Sequence, residues 1–337
     1  MRNEYGKISK GKIIGKWVRI IVCVSMALSI VVIMQSSLRS AIGKSHASAN
    51  IKDEEVPKLA VPEAEITVDV ENFKKMFKKK KIFDKYMQTV DKSDYMMHAL
   101  GGMDEENTYI NSLDAMEYYY IKGKRLFEVD VNVTKDNKLV LSHGWKKKDY
   151  SRHIGVDEFD EDKENEDGEC IPTLDKFLSE KIKDKYTTNS FSDLVDYMRK
   201  HDDIYVLIDI GDRDYDETLD IYKLIVKEVN SDDVLQHFIV GGQSKDMIKA
   251  VKKAYDFMIV NASYSEDEFG SVDKFLKYCE KEDITSYGIA TDGDRDDLDK
   301  LLDKSDLISY VFTENEEKEA KKLLDKGVSV VGTDFLE

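Results

Sequence analysis

The stretch "FEVDVNVTKDNKLVLSH", Phe127–His143, carries the signals from which the fold of this chain is read. In its first half Phe127, Val129, Val131 and Val133 take every second position, the pattern of a β-strand whose successive side chains point to opposite faces. The other face carries Glu128, Asp130 and Asn132. Two carboxylates about 7 Å apart on one face of a strand repel each other and lose water if buried. Either that face is wet or something cationic sits on it. The turn "TKDN" then brings the chain back through "KLVLSH" to His143.

On both sides of this stretch short β-rich runs alternate with helical ones. "DYMMHALG" is followed by "NSLDAMEYYYIKG", and the strand at 127 by "SFSDLVDYMRK". The rhythm continues as "IYVLIDI" and "YDETLDIYKLIVKEV", then through "HFIVGG", "FMIVNASY", "SYGIATDG" and "ISYVFTEN", each with its helix, to a final "VSVVGTDFLE". Alternation of this kind gives parallel βαβ crossovers. Eight strand units point to an α/β fold of the closed (β/α)8 TIM barrel type over residues 94–337. An open dinucleotide-binding sheet would carry G-x-G-x-x-G after its first strand, and "HALGGM" does not supply it.

In such a barrel, function gathers where the strands end at their C-terminal mouth. The polar residues there are His98 on the first strand, Glu128 and Asp130 on the second with His143 after the return, and Asp209 on the third. Three carboxylates sharing one mouth are stable when a hard divalent cation such as Mg2+ or Ca2+ takes up their charge. Histidine, with an unperturbed pKa near 6.5, is suited to exchange protons beside it. Trp145, directly after His143, is either a ring for stacking on substrate or a structural aromatic at the mouth.

The formal charge of −17 is unevenly spread. Residues 1–49 hold eight Lys or Arg against one Glu, leaving 43 basic and 67 acidic side chains for the rest. That balance argues against nucleic-acid binding by the main domain. The basic head (1–19) precedes the apolar run "IIVCVSMALSIVVIM", which lies in a segment 20–38 long enough to span a membrane. This is the layout of a transmembrane signal anchor, or of a signal peptide if the A-x-A in "HASAN" is cut. The barrel is then expected on the extracytoplasmic side of the cell membrane, or secreted. Residues 39–93 are expected as a stalk with a basic helix, "NFKKMFKKKKIF", which either lies on an anionic membrane surface or packs Phe73 and Phe77 on the domain. Cys170 and Cys279 are either a disulfide or two buried thiols. The acidic runs at 157–169 and 292–297 lack the glycine of a calcium loop and read as solvated loops.

In order and spacing, His98, "ENT" at 106–108, and "FEVDVNVTKDNKLVLSH" resemble the glycerophosphodiester phosphodiesterase family of the phospholipase-C-like barrels, and the ending "GVSVVGTDFL" is similar to the family's last strand. The resemblance implies that His98 and His143 are the acid and base pair and that Glu128, Asp130 and Asp209 hold one divalent metal, Mg2+ or Ca2+. It implies a small-molecule or lipid-derived phosphodiester as substrate, with a cyclic phosphate as a stage on the way. Two positions depart from the family: the Arg after the first His is Ala99, and the Lys two residues beyond the third-strand carboxylate is Gly211. Lys146, Lys147, Lys148, Arg152 and Arg213 are the cations whose positions allow them to replace these. A lyase resembling sphingomyelinase D, or a barrel that binds envelope ligands without turnover, are the competing expectations.

Overall fold

The computed structural model describes residues 70–103, 107–291, 293 and 295–337. The apolar run expected as a membrane anchor lies outside them, and among the described residues no helix is long and apolar enough to cross a membrane. The alternating runs of the sequence form eight parallel strands: β1 (Tyr95–Met97), β2 (Leu126–Val133), β3 (Tyr205–Asp209), β4 (Phe238–Gly242), β5 (Ile259–Ser263), β6 (Ser286–Ala290), β7 (Ile308–Phe312) and β8 (Val330–Thr333). Each pairs with the next in order, and β1 pairs with both β2 (Met97 with Phe127) and β8 (Tyr95 with Val331), which closes the barrel. A short return strand, Leu139–Leu141, runs antiparallel to β2 as the turn "TKDN" requires.

Burial explains why most of these strands read as continuous apolar runs. Every residue of β2 from Leu126 to Asn132 is buried, because a barrel strand has helices on one face and the barrel interior on the other. Phe127, Val129 and Val131 enter the main core with residues such as Phe191, Leu194 and Val195. Backbones approach closely inside: a Cβ at Gly241 would lie 1.7 Å from the Asn261 carbonyl oxygen, so only glycine fits that point of β4. Cys170 and Cys279 are both free and buried, which settles the disulfide question in favour of two thiols.

Helices start where their sequences signal a cap. Ser112 opens α2 (the first helix after β1, Leu113–Ile121), accepting from the Asp114 N–H. Ser190 opens α3 (Phe191–Lys200) and Asp214 opens α4 (Tyr215–Val229), each with an acidic residue at the third helical position completing a capping box. Asp214 follows β3 closely, whereas Ser112 and Ser190 end longer connections that carry other residues of the mouth.

Ahead of the barrel, α1 runs continuously from Val70 to Lys92. Its residues from Lys81 belong to the same compact unit as the barrel. Within that unit Phe83, Tyr86, Met87 and Val90 are buried, and the Tyr86 hydroxyl meets the Tyr310 hydroxyl of β7 at 2.6 Å. The Tyr86 ring also lies 5.1 Å from that of Tyr205, the first residue of β3. This half of α1 therefore closes the end of the barrel opposite the mouth. Earlier in the helix Phe77 is 60% exposed.

Replacing Tyr86 with Ala should cost about 3–5 kcal/mol in urea denaturation followed by circular dichroism, because it empties a fully enclosed site. Tyr86→Phe should cost about 1–3 kcal/mol, the penalty of leaving the buried Tyr310 hydroxyl unpaired. Equal stability of all three proteins would show that α1 does not seal the barrel.

Candidate active site

At the end of β1 the chain turns sharply. Ala99 and Leu100 sit in the left-handed region (φ 48° and 61°), a conformation that side chains other than glycine seldom adopt. The turn aims the Ala99 N–H at Glu128 Oε2, 2.6 Å away, and leaves His98 Nε2 at 3.9 Å from the same oxygen. His98 Nδ1 lies 2.8 Å from Oδ1 of Asp334, directly beyond β8. Asn315 locks that carboxylate by donating to its Oδ2 at 2.6 Å and accepting from the Asp334 N–H at 2.8 Å. Burial works against a charged imidazole here, yet the Asp334 hydrogen bond and the Glu128 and Asp130 charges outweigh it and raise His98 to about 9.

Glu128 and Asp130 point inward from β2, and the β2–β3 register places Asp130 beside Asp209. Oxygens of Glu128, Asp130 and Asp209 lie within 4.8 Å of one another. Each carboxylate receives one neutral donor: Ala99 N–H to Glu128, Asn111 Nδ2 to Asp130 at 2.7 Å, and Gly211 N–H to Asp209 at 2.6 Å. Asn111 also accepts from the Asp130 N–H at 3.0 Å, so its side chain is gripped from both ends. Burial, followed by the charge of Asp130, pushes Glu128 well above the usual carboxylate range. Burial and Asp209 raise Asp130 to about 6.

One atom decides what this cluster lacks. Glu128 Oε1 is buried and has no hydrogen-bond partner among the described residues. A buried carboxylate oxygen facing two more carboxylates is costly unless a cation meets it. The all-oxygen donor set suits Mg2+ or Ca2+, so the residues present fit a hard divalent ion.

His143, after the return strand, faces the mouth from the other side. Its Nδ1 lies 2.9 Å from Asp149 Oδ1, and this hydrogen bond leads the effects that raise the ring above its ordinary value. Asp149 sits in the first turn of the short helix Lys147–Arg152 and reaches back across Gly144, where a Cβ would stand 2.7 Å from its Oδ2. Between the histidines lies Tyr109, its ring centroid 4.7 Å from that of His98 and 5.3 Å from that of His143, both edge-on.

The structure thus brings together His98, His143, Glu128, Asp130 and Asp209. It does not bring Trp145 to the mouth: the indole is buried among Tyr150 and Phe177 and donates to the Val133 carbonyl at 3.0 Å. This corrects the option of Trp145 as a substrate-stacking ring, because a ring that rivets the return strand to β2 has no free face. Lys146 is exposed and is tied to the site by its backbone N–H, which donates to Asp149 Oδ2 at 3.2 Å. Arg213 donates to the Asp212 carbonyl, and its Nη1 lies 4.0 Å from where a Cβ of residue 211 would be.

A second correction concerns "ENT". Glu106 lies outside the described residues, and the Thr108 carbonyl accepts from Lys183 Nζ. The amide and hydroxyl that serve the site are Asn111, which grips Asp130, and Ser112, which caps α2. The residue before them is the buried Ile110, not an acid. The signal was present, since Ser112 directly precedes the helical run "LDAMEYYYI". Asp334 was also accessible by the rule that strand ends carry function, whereas Asp149, in a short helix, and Tyr109, on a loop, have no such marker.

Solved structures share this fold. A glycerophosphodiester phosphodiesterase from Parabacteroides distasonis is similar at 17% identity and a TM-score of 0.56, over 72% of this chain and 93% of its own. A phosphodiesterase from Oleispira antarctica, in complex with the product sn-glycerol-3-phosphate, is similar at 14% identity and a TM-score of 0.54, over 72% and 93%. A third, a glycerophosphodiester phosphodiesterase from Thermotoga maritima, gives 19% identity and a TM-score of 0.50 over 72% and 94%. No curated protein sequence matches. Residues 101–337 match the Glycerophosphoryl diester phosphodiesterase family, and with its closed barrel and the site at its mouth the chain belongs to that family of enzymes.

Proposed function

We propose that this barrel hydrolyses glycerophosphodiesters or related lipid or envelope phosphodiesters with one divalent cation, Mg2+ or Ca2+, held by Glu128, Asp130 and Asp209. The observation that carries this reading is the buried, unpartnered Glu128 Oε1 inside three converging carboxylates flanked by two His–Asp pairs. When bound, the cation would neutralise phosphate charge and so lower the barrier to attack on an otherwise poor electrophile.

The protein's own groups supply the proton transfers. Asp334 and Asp149 hold the Nδ1 sides of His98 and His143, which leaves the Nε2 atoms for the reaction. One histidine takes the proton of the attacking hydroxyl as its oxygen bonds to phosphorus. The other gives a proton to the departing alkoxide as the second phosphorus–oxygen bond breaks. The attacking hydroxyl is the neighbouring one on the substrate's glycerol, and water then opens the resulting cyclic phosphate by the same exchange in reverse. The Oleispira antarctica neighbour, solved with sn-glycerol-3-phosphate as its product, supports a glycerol phosphate product here too. The reading includes anchoring of the chain by residues 20–38 with the barrel on the extracytoplasmic side, where membrane-derived diesters are available.

His98→Ala and His143→Ala should each lower kcat by about 10²–10⁴-fold on glycerophosphocholine, with phosphorus NMR following cyclic and open products. Wild-type turnover in either variant would refute the assigned roles. A purified protein that cleaves no phosphodiester with Mg2+ or Ca2+ would refute the activity itself.

Cation binding should read out as stability. Asp130 is raised to about 6, so in the cation-free protein its ionised form works against folding above that pH, and the effect fades towards the ordinary carboxylate value. Added Mg2+ or Ca2+ should therefore raise the thermal midpoint, with a stabilisation of about 2.7 kcal/mol at a hundred times Kd, and a given concentration should stabilise more at pH 7.5 than at pH 5. Asp130→Asn should remove most of that gain, and a gain that survives would place the cation elsewhere.

The pH profile tests the second pair. Because the Asp149 hydrogen bond leads the rise in His143, Asp149→Asn should lower the His143 pKa and move its limb of the kcat profile to more acid pH. A limb that stays in place would exclude His143 from proton transfer.

A further inference from the structure

Tyr109 touches both histidines yet belongs to neither His–Asp pair nor the carboxylate cluster. Its backbone is left-handed (φ 62°), as is that of Asn111 (φ 50°). Such conformations cost a bulky residue roughly 1–2 kcal/mol and persist where the surroundings impose them. Here the imposed path does two things at once: it puts Asn111 on Asp130 and turns the Tyr109 ring between His98 and His143. The Tyr109 hydroxyl makes no hydrogen bond among the described residues.

Over the outer face of this ring stands Arg152, its guanidinium carbon 5.9 Å from the ring centroid. Arg152 makes no hydrogen bond or ion pair among the described residues, although the chain carries 68 acidic side chains against 51 basic ones. Its neighbour Lys147, by contrast, is paired with Glu161. An exposed cation held over an aromatic ring gains only about 0.5–1 kcal/mol from it, so the contact orients Arg152 without using up its charge.

We propose that Tyr109 and Arg152 hold the substrate's phosphate in place of the two cations absent at Ala99 and Gly211. The inference rests on the reading of this site as one for glycerol phosphodiesters. A phosphate whose bridging oxygens exchange protons with His98 and His143 must lie between their Nε2 atoms, and Tyr109, in edge contact with both rings, borders that space. Its hydroxyl donates to one non-bridging oxygen, a neutral donor that adds nothing to the electrostatics of three nearby carboxylates. The guanidinium of Arg152 meets another with its planar fork. Arg152 ends the same six-residue helix whose first turn carries Asp149, so phosphate bound there also steadies the partner of His143.

The test uses the full chain with Mg2+ and two readouts: calorimetric titration with sn-glycerol-3-phosphate, and kcat and KM on glycerophosphocholine. Tyr109→Phe and Arg152→Ala should each weaken sn-glycerol-3-phosphate binding by roughly 10–100-fold, the range for a hydrogen bond to a charged group. Arg152→Lys should restore part of the loss, and all three should keep the wild-type thermal midpoint without ligand. Binding by both Tyr109→Phe and Arg152→Ala equal to wild type, or no binding by wild type, overturns the proposal. Cleavage by the wild type with unchanged variants would remove this clamp and leave the hydrolase reading standing. Arg152-dependent binding without any cleavage would do the reverse.

Discussion

Glu128, Asp130 and Asp209 cannot move apart without breaking the barrel. Asp130 and Asp209 are register partners on β2 and β3, and Glu128 is two residues back on the same inward face. The hydrogen bonds of the sheet therefore hold like charges together in a buried place, where each interacts far more strongly than in water. The rest of the mouth is arranged around that repulsion. The left-handed turn at Ala99 supplies one N–H, the side chain of Asn111 a second donor and Gly211 a third, one for each carboxylate. All three are neutral, so they satisfy individual oxygens while leaving the net charge in place. A divalent cation is the group we propose to balance it.

The histidines answer the same charge in a second way. His98 stands beside Glu128 and is tied to Asp334 just beyond β8, while His143 is tied to Asp149 on a short helix beyond the return strand. Each ring is fixed at Nδ1 by an acid from outside the cluster and presents its other nitrogen to the mouth. Such fixing keeps the imidazoles oriented, and the surrounding negative charge keeps them basic enough to carry protons at neutral pH. Tyr109 spaces the two rings, so the distance across the site is set by an aromatic side chain rather than by loop flexibility.

Much of this was legible before any coordinates. The eight alternating units gave the barrel, and the rule that strand ends carry chemistry selected His98, Glu128, Asp130, His143 and Asp209. Trp145 stayed open between a stacking ring and a structural one because proximity in sequence to His143 says nothing about which way a ring turns, and its burial makes it structural. The Asn-Thr pair at 107–108 misled for a related reason: a motif spelled correctly sat four residues before the pair that the helix cap and Asp130 use. The pairing of His98 with Asp334 was hidden because the two lie 236 positions apart and meet only once the barrel closes, whereas Asp149, six residues after His143, carried no marker of its role.

What the sequence alone determined is periodic or local: strand and helix alternation, and an acidic strand face that had to be wet or neutralised. Those follow from side-chain geometry and hydrogen bonding within a few residues. Only the tertiary structure decided that the acidic face is buried, that Glu128 Oε1 is left without a partner, and that each histidine has its own carboxylate. The pairing of His98 with Asp334 depends on β1 meeting both β2 and β8, a closure that joins residues 236 positions apart in the chain, whereas His143 finds Asp149 six residues on. Long-range contacts of that kind have no local signal, because their energy comes from neighbours that only folding supplies.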